Sequence, residues 1–283
     1  MRTAERFAIL VASCDRYSDM WEPFFTLFAR FWPDCPYPVY LLSNTLGSPR
    51  PEIRTLRSGP DSAWSDCLGR GLEALWADYV FLWLDDLFLC RPVNSEELAE
   101  RFDWLAGQGG HCLRLNGVPR PDRRLEPTFG VVSPGTLYRT STVLSMWRKQ
   151  TLLDLLVPGE SAWQFEIAGS VRSDAYDGFY ATYGPRLEVV NTVIKGKWDR
   201  SALARVRRLG VEPDLSRRPV MTRREQFALA LGRLQTGGLN RLPARWRRRV
   251  REWALGARGT YAPAGGAPTA APPPELPNHA PGN

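Results

Sequence analysis

Residues 78 to 89 read DYVFLWLDDLFL: six apolar or aromatic residues, Tyr79 to Leu84, run straight into two adjacent carboxylates, Asp85 and Asp86. A short, continuous apolar run of this kind is the pattern of a strand buried on both faces, inside a mostly parallel sheet. Two like charges at its end repel each other and resist losing water. A fold keeps them only where water, a cation or a hydrogen-bond donor compensates.

Two similar runs precede this stretch, FAILVA at 7–12 and YPVYLL at 37–42. Segments of helical period separate them: Met20, Phe24, Leu27 and Phe31 share one face, as do Leu68, Leu72 and Leu75. This βαβ alternation predicts an α/β fold with a mostly parallel central sheet flanked by helices. Asn94 and Glu97 have capping-box spacing for a helix running to about Leu105, and HCLRLNG reads as a further strand. Residues 117–135, rich in proline and glycine, are expected to form a surface loop. In TLYRTSTVLSMWRKQTLLDLL a short strand is expected to lead into an amphipathic helix with Leu144, Trp147, Leu152 and Leu155 near one stripe. ESAWQFEIAGS reads as a short helix, and RLEVVNTVIKGKW as a last strand with a basic turn. Helices are expected around 201–209, 223–235 and 243–255.

The 283 residues carry a formal charge of +7, unevenly spread: residues 200–258 hold 16 Arg against four acidic residues, whereas residues 1–199 sum to −4. The expected organisation is an α/β domain at 1–199, an arginine-rich helical extension at 200–258, and a Pro/Gly/Ala-rich tail at 259–283 too poor in apolar bulk to pack. Five scattered cysteines without C-x-x-C spacing suggest reduced thiols. With neither a secretory pattern at the N-terminus nor a long apolar run, a cytoplasmic location is expected. The arginines lack an aromatic-basic reading surface, so nucleic acid is not an expected partner. His111 has no second histidine to join it in a metal site and is read as structural.

The blocks CDRYSDMWEPFFTLFARFWPDCPYPVYLLSN, WSDCLGRGLEAL, YVFLWLDDLFL, MWRKQTLLDLLVPGESAWQFEIAGS and KGKW, in this order over about residues 7 to 200, resemble bacterial glycosyltransferases of the GT-A type. The resemblance implies a GT-A-like, Rossmann-like fold and transfer of a sugar from a nucleotide-diphosphate donor to a saccharide or lipid-linked acceptor. Inversion and a role in cell-surface polysaccharide synthesis come with it. It also implies a divalent cation, Mn²⁺ or Mg²⁺, at Asp86, with Asp85 beside it on a backbone amide, a ribose hydroxyl or the sugar. The side-by-side acids depart from the family's Asp-x-Asp, which leaves open a catalytically inactive nucleotide-sugar-binding module of a polysaccharide-assembly complex.

Cys14, Asp15 and Arg16 come directly after the first strand, where similar enzymes hold the nucleoside; the alternative for Asp15 is a helix N-cap. Trp64, Ser65, Asp66 and Arg70 fall at a helix start as further donor-binding candidates, with core packing as the other reading of Trp64. Glu166, set among Trp163, Phe165 and Ile167, is the candidate general base, its alternative being an ion pair with Arg172 or Lys149; Asp174 is the next candidate. Lys195 and Lys197 flank Gly196 in a turn suited to a diphosphate, or simply to solvent. In the arginine-rich end, Trp246, Val250 and Trp253 form one stripe bordered by Arg245, Arg247, Arg248, Arg249 and Arg251. Residues 240–258 are expected either to dock on the domain or to lie on an anionic membrane surface at the inner face.

Overall fold

The structure, a computed structural model, describes residues 6–115, 120–183 and 187–227. Its centre is a nine-stranded sheet in the order β3 (Arg54–Arg57), β2 (Val39–Ser43), β1 (Phe7–Ala12), β4 (Tyr79–Leu84), β9 (Ser145–Arg148), β6 (Cys112–Arg114), β10 (Phe179–Thr182), β8 (Phe129–Val131) and β7 (Arg123–Arg124). The strands β3, β2, β1 and β4 pair in parallel. Across the whole sheet only β8 and β9 run against the rest. The expected mostly parallel sheet with flanking helices is what forms.

Alternation along β1 and β4 explains their unbroken apolar sequence. Phe7, Ile9, Val11, Phe81 and Trp83 join the core on one face, under the helices Ser18–Phe31 and Ser95–Gly107. Ala8, Leu10, Val80 and Leu82 join the core on the other, under Trp64–Ala74 and Lys149–Leu155. The helix Trp64–Ala74 sits close to β2: a Cβ at Gly71 would meet Leu42 Cδ1 at 2.6 Å, so any larger residue there would require the Leu42 side chain to shift. Asn94 caps its helix by accepting from the Glu97 amide at 3.0 Å, as the spacing predicts.

Two expectations are corrected. Part of 117–135 is not loop, because 123–124 and 129–131 form the antiparallel edge of the main sheet. Strands of two and three residues are too short for periodicity to reveal. Leu144 and Trp147 do not belong to a helix either: Leu144 has φ +47°, and Trp147 lies on β9, wedged between β4 and β6, before the helix starts at Lys149. The core also continues past residue 199, since Leu203, Val206 and Val211 belong to the same cluster as Phe7 and Trp83.

After Asp86 the chain forms β5 (Leu87–Leu89), which pairs with β11 (Val189–Asn191). Next to it β12 (Val193–Ile194) and β13 (Lys197–Trp198) make a hairpin. Among the described residues no helix is long and apolar enough to cross a membrane. The arginine-rich stripe at 240–258, most of the 223–235 segment and the tail lie outside the described residues.

The packing of the first face is testable at Phe102. Its ring is fully buried and stacks on Phe7 at 4.4 Å, with Tyr37 edge-on at 4.6 Å. Phe102→Ala should cost about 3–5 kcal/mol, seen as a lower urea midpoint with an unchanged denaturant slope.

Candidate functional site

The register of β1 and β4 builds the site. Ala12 pairs with Leu84, so the next residues, Ser13 and Asp85, leave the sheet side by side at its carboxyl edge. Ser13 Oγ donates to Asp85 Oδ2 and accepts from Trp21 Nε1 at 2.7 Å. Asp85 is buried, while Asp86 Oδ1, buried too, has no hydrogen-bond partner among the described residues. Both border a cavity of about 280 Å³ with Ser13, Cys14, Tyr17 and Trp64.

Burial pushes the Asp85 carboxyl well above the usual range, and the neighbouring Asp86 charge adds to it, against relief from Ser13 and Arg218. Burial likewise raises Asp86 to about 6, with a backbone hydrogen bond and Arg218 opposing. The pair is thus held in a place that disfavours its own charge.

Of the residues expected at the site, Cys14, Trp64, Asp85 and Asp86 line the one cavity together. Trp64 also packs its ring at 5.5 Å from Phe165, so it borders the cavity while taking part in core packing. Arg16 reaches Asp61 at the cavity rim, an exposed pair at 3.1 Å. Arg70 holds the wall loop, donating to Ser58 O at 2.5 Å and Ser62 Oγ at 2.7 Å.

Others are spent on scaffolding. The Asp15 carboxylate does not cap a helix; it accepts from the amides of Asn44, Thr45 and Leu46 and from the Thr45 hydroxyl, which hold it below the usual carboxylate range although burial pushes it up. Ser65 Oγ accepts from the Glu160 amide at 3.0 Å, and Asp66 Oδ1 from the Gly159 amide at 3.3 Å. Lys197 pairs with Glu225 at 2.5 Å. His111 bonds through Nδ1 to Thr151 Oγ1 at 2.6 Å, as befits a structural residue.

Glu166 lies one turn beyond Ala162 of the cavity wall, in the π-helical stretch Phe165–Gly169. Its Oε1 accepts from Ser141 Oγ and from the Thr142 amide and hydroxyl, and Oε2 takes no hydrogen bond among the described residues. The ion pair expected as its alternative goes elsewhere, since Arg172 pairs with Glu160 and Lys149 donates to Leu75 O. Asp174 Oδ1 accepts from the Gly135 amide at 2.7 Å, away from the cavity.

The residues that motif reading passed over are Ser13, Tyr17, Trp21, Asp19 and Arg218. Ser13 had a signal, because two parallel strands ending in step put the next residues opposite each other. Arg218 had none. It lies far along the chain, yet it forks onto the buried Asp19, with Nε–Oδ2 and Nη2–Oδ1 both at 3.0 Å, and its guanidinium carbon stands 4.2 Å from the Tyr17 ring centre.

No family model matches the chain, and no curated protein matches its sequence. Several solved structures are similar to it. The mannosyltransferase PcManGT from Pyrobaculum calidifontis, in complex with GDP-Man and Mn²⁺, is 14% identical over 93% of this chain and 76% of its own, with a TM-score of 0.44. Glucosyl-3-phosphoglycerate synthase from Mycobacterium tuberculosis is 12% identical over 78% and 83%, with a TM-score of 0.41. S. aureus TarS 1–349 is 14% identical over 62% of this chain, with a TM-score of 0.39, and the match spans 60% of that chain.

The raised carboxyls have a consequence for stability. With Asp86 near 6 in the fold and close to 3.8 when unfolded, the native state binds more protons between these values, so stability falls as pH rises through that window. Asp86→Asn should therefore be more stable than wild type at pH 8 in chelator, by about 1–3 kcal/mol. The gain should vanish near pH 4, as thermal melts across pH will show.

Proposed function

We propose that the chain is a nucleotide-sugar glycosyltransferase that moves a sugar from a nucleotide-diphosphate donor to a saccharide or lipid-linked acceptor, with inversion, in cell-surface polysaccharide synthesis. The observation that carries the reading is the buried, unpartnered Asp86 oxygen beside Asp85, in a cavity at the carboxyl edge of a parallel sheet. In open α/β sheets ligands bind at that edge, where loops and helix starts converge. A divalent cation would fit this donor set, because adjacent carboxylates that resist ionisation alone become favourable ligands beside a positive charge. Asp86 would hold it with Asp85 alongside, and its chemistry would be to neutralise the charge developing on the departing diphosphate.

The chain's own residues divide the remaining work. Ser13 holds Asp85 in place, and Trp64 with Tyr17 walls the cavity for the nucleoside. Lys195, exposed on its turn, offers an ammonium group to the diphosphate. Glu166 keeps Oε1 on Ser141 and Thr142 and presents Oε2 to take the proton from the acceptor hydroxyl. The alternative, an inactive donor-binding module, draws support from Glu166 lying outside the cavity lining.

A thermal-shift screen of nucleoside diphosphates and their sugars, with and without Mn²⁺, tests donor binding, because a ligand of the native state raises its melting temperature. Asp86→Asn should abolish transfer while remaining folded; wild-type turnover by this variant would refute the assignment. Glu166→Gln keeps an oxygen for Ser141 and Thr142, so its fold should hold and its donor affinity stay unchanged while kcat drops about 10²- to 10⁴-fold. Full turnover by Glu166→Gln, alongside transfer by wild type, would remove Glu166 from the role of base.

The proposal extends to peripheral attachment on an anionic inner membrane face through residues 240–258, each arginine near such a surface being worth about 1 kcal/mol. The full chain should sediment with anionic liposomes at low salt and be released at high salt. Replacing Arg245, Arg247, Arg248, Arg249 and Arg251 with glutamine should abolish sedimentation; retention that ignores both salt and these changes would exclude the membrane role.

A further inference from the structure

The hairpin that carries Lys195 cannot hold itself in place. Its strands β12 and β13 are two residues each, and an isolated two-stranded hairpin is marginal in water. Lys195 and Gly196 both take positive φ, +52° and +76°, as the type I′ form of a two-residue hairpin loop requires. The position of the turn is therefore set by its tethers.

Three tethers are present. Thr192 donates through N and Oγ1 to Asp86 O, each at 2.8 Å, so the hairpin starts at the diacid itself. Trp198 exchanges backbone bonds with the segment at 219–221, its N–H donating to Pro219 O and its carbonyl accepting from Met221 N, both at 2.9 Å. Arg218 then reaches the turn, with Nη1 donating to Gly196 O at 3.5 Å. The same guanidinium donates to Arg16 O at 3.4 Å, forks onto Asp19 and covers the Tyr17 ring. One buried side chain thus joins the loop after β1, the start of the helix Ser18–Phe31 and the hairpin turn.

We propose that Arg218 is the positioning residue that carries the Lys195–Gly196 turn to the rim of the diacid cavity, so that Lys195 meets the donor's diphosphate. The inference rests on the glycosyltransferase reading. Arg218 is buried and its fork is taken by Asp19, whose side chain is 1% exposed, with two further donors on the carbonyls of Gly196 and Arg16, so its charge is committed within the fold. Lys197 is occupied by Glu225, whereas Lys195 is exposed and has no ion pair among the described residues. The anion-binding charge sits on Lys195, and its location depends on Arg218.

The test is calorimetric titration of the full chain with inorganic pyrophosphate and with nucleoside diphosphates in Mg²⁺ buffer. Lys195→Ala should weaken pyrophosphate binding about tenfold. Asp19→Asn with Arg218→Gln, which removes the buried pair without stranding a charge, should weaken it by a similar factor. Adding Lys195→Ala to that pair should lose little more, because residues acting through one another are not additive. Arg218→Lys, which keeps the charge but not the fork, should fall between wild type and the pair variant. Urea melts verify that each variant is folded. Pyrophosphate affinity that is unchanged in the pair variant and in Arg218→Lys, or losses that add in full, would overturn the role of Arg218 while leaving the donor reading intact. A wild-type chain that binds neither pyrophosphate nor any nucleoside diphosphate would remove the donor reading and this proposal with it.

Discussion

The parallel pairing of β1 with β4 is the constraint on which the rest of the molecule depends. Both strands are buried on both faces, so neither can slip by one residue without sending every side chain to the wrong core. Their locked register ends both strands at one level and forces Ser13 and Asp85 together. Two carboxylates then emerge at the sheet's carboxyl edge, and burial there raises the pKa of both. The free-energy cost of that burial is offset by the core beneath, where Phe24 and Phe28 pack edge to face on Trp83 and Phe81 lies tilted against it. The strain of the site and the strength of the core are two ends of the same strands.

The chain beyond Asp86 is organised by that pair as well. β5 turns back from it to recruit β11, and Thr192 returns to bond the Asp86 carbonyl, so a segment about a hundred residues away in sequence is fastened to the diacid. The hairpin with Lys195 and the segment with Arg218 come with it. Cavity wall, basic turn and diacid therefore form one mechanical unit, with the small β5–β11 sheet as its frame.

The parts legible in the sequence were those written in period and contrast. β1, β2 and β4 were visible as apolar runs, the helices as stripes, the Asn94 cap as a spacing, and Asp85–Asp86 as charge where none belonged. β7 and β8 were hidden because two or three residues carry no period, and β9 because SMWR shares its apolar positions with the helix after it. The polar candidates near strand ends were harder, for a physical reason. Loops leaving a sheet expose backbone amides that must be satisfied, and Asp15, Ser65 and Asp66 are the side chains nearest to do it. Residue type alone does not separate a carboxylate reserved for a ligand from one consumed by its own loop. Asp86 is distinguished by its Oδ1, which is buried and takes no hydrogen bond among the described residues.

The basic excess of residues 200–258 combines two populations of arginine that composition cannot distinguish. Some belong to the fold. Arg205 reaches Glu188 at 3.7 Å, Arg207 pairs with Glu212 at 2.5 Å, and Arg218 is sealed against Asp19. The helix Arg200–Arg208 that carries the first two also buries Ala202, Leu203 and Val206, the last two in the main core. Arg205 and Arg218 meet acids of the preceding domain, whereas Arg207 pairs within its own segment. Those beyond 240 stand in a stretch whose single carboxylate, Glu252, cannot neutralise them. The compositional boundary at residue 199 therefore does not mark a mechanical one: the domain that holds the diacid takes its last brace from the start of the basic segment, through Leu203, Val206 and Arg218.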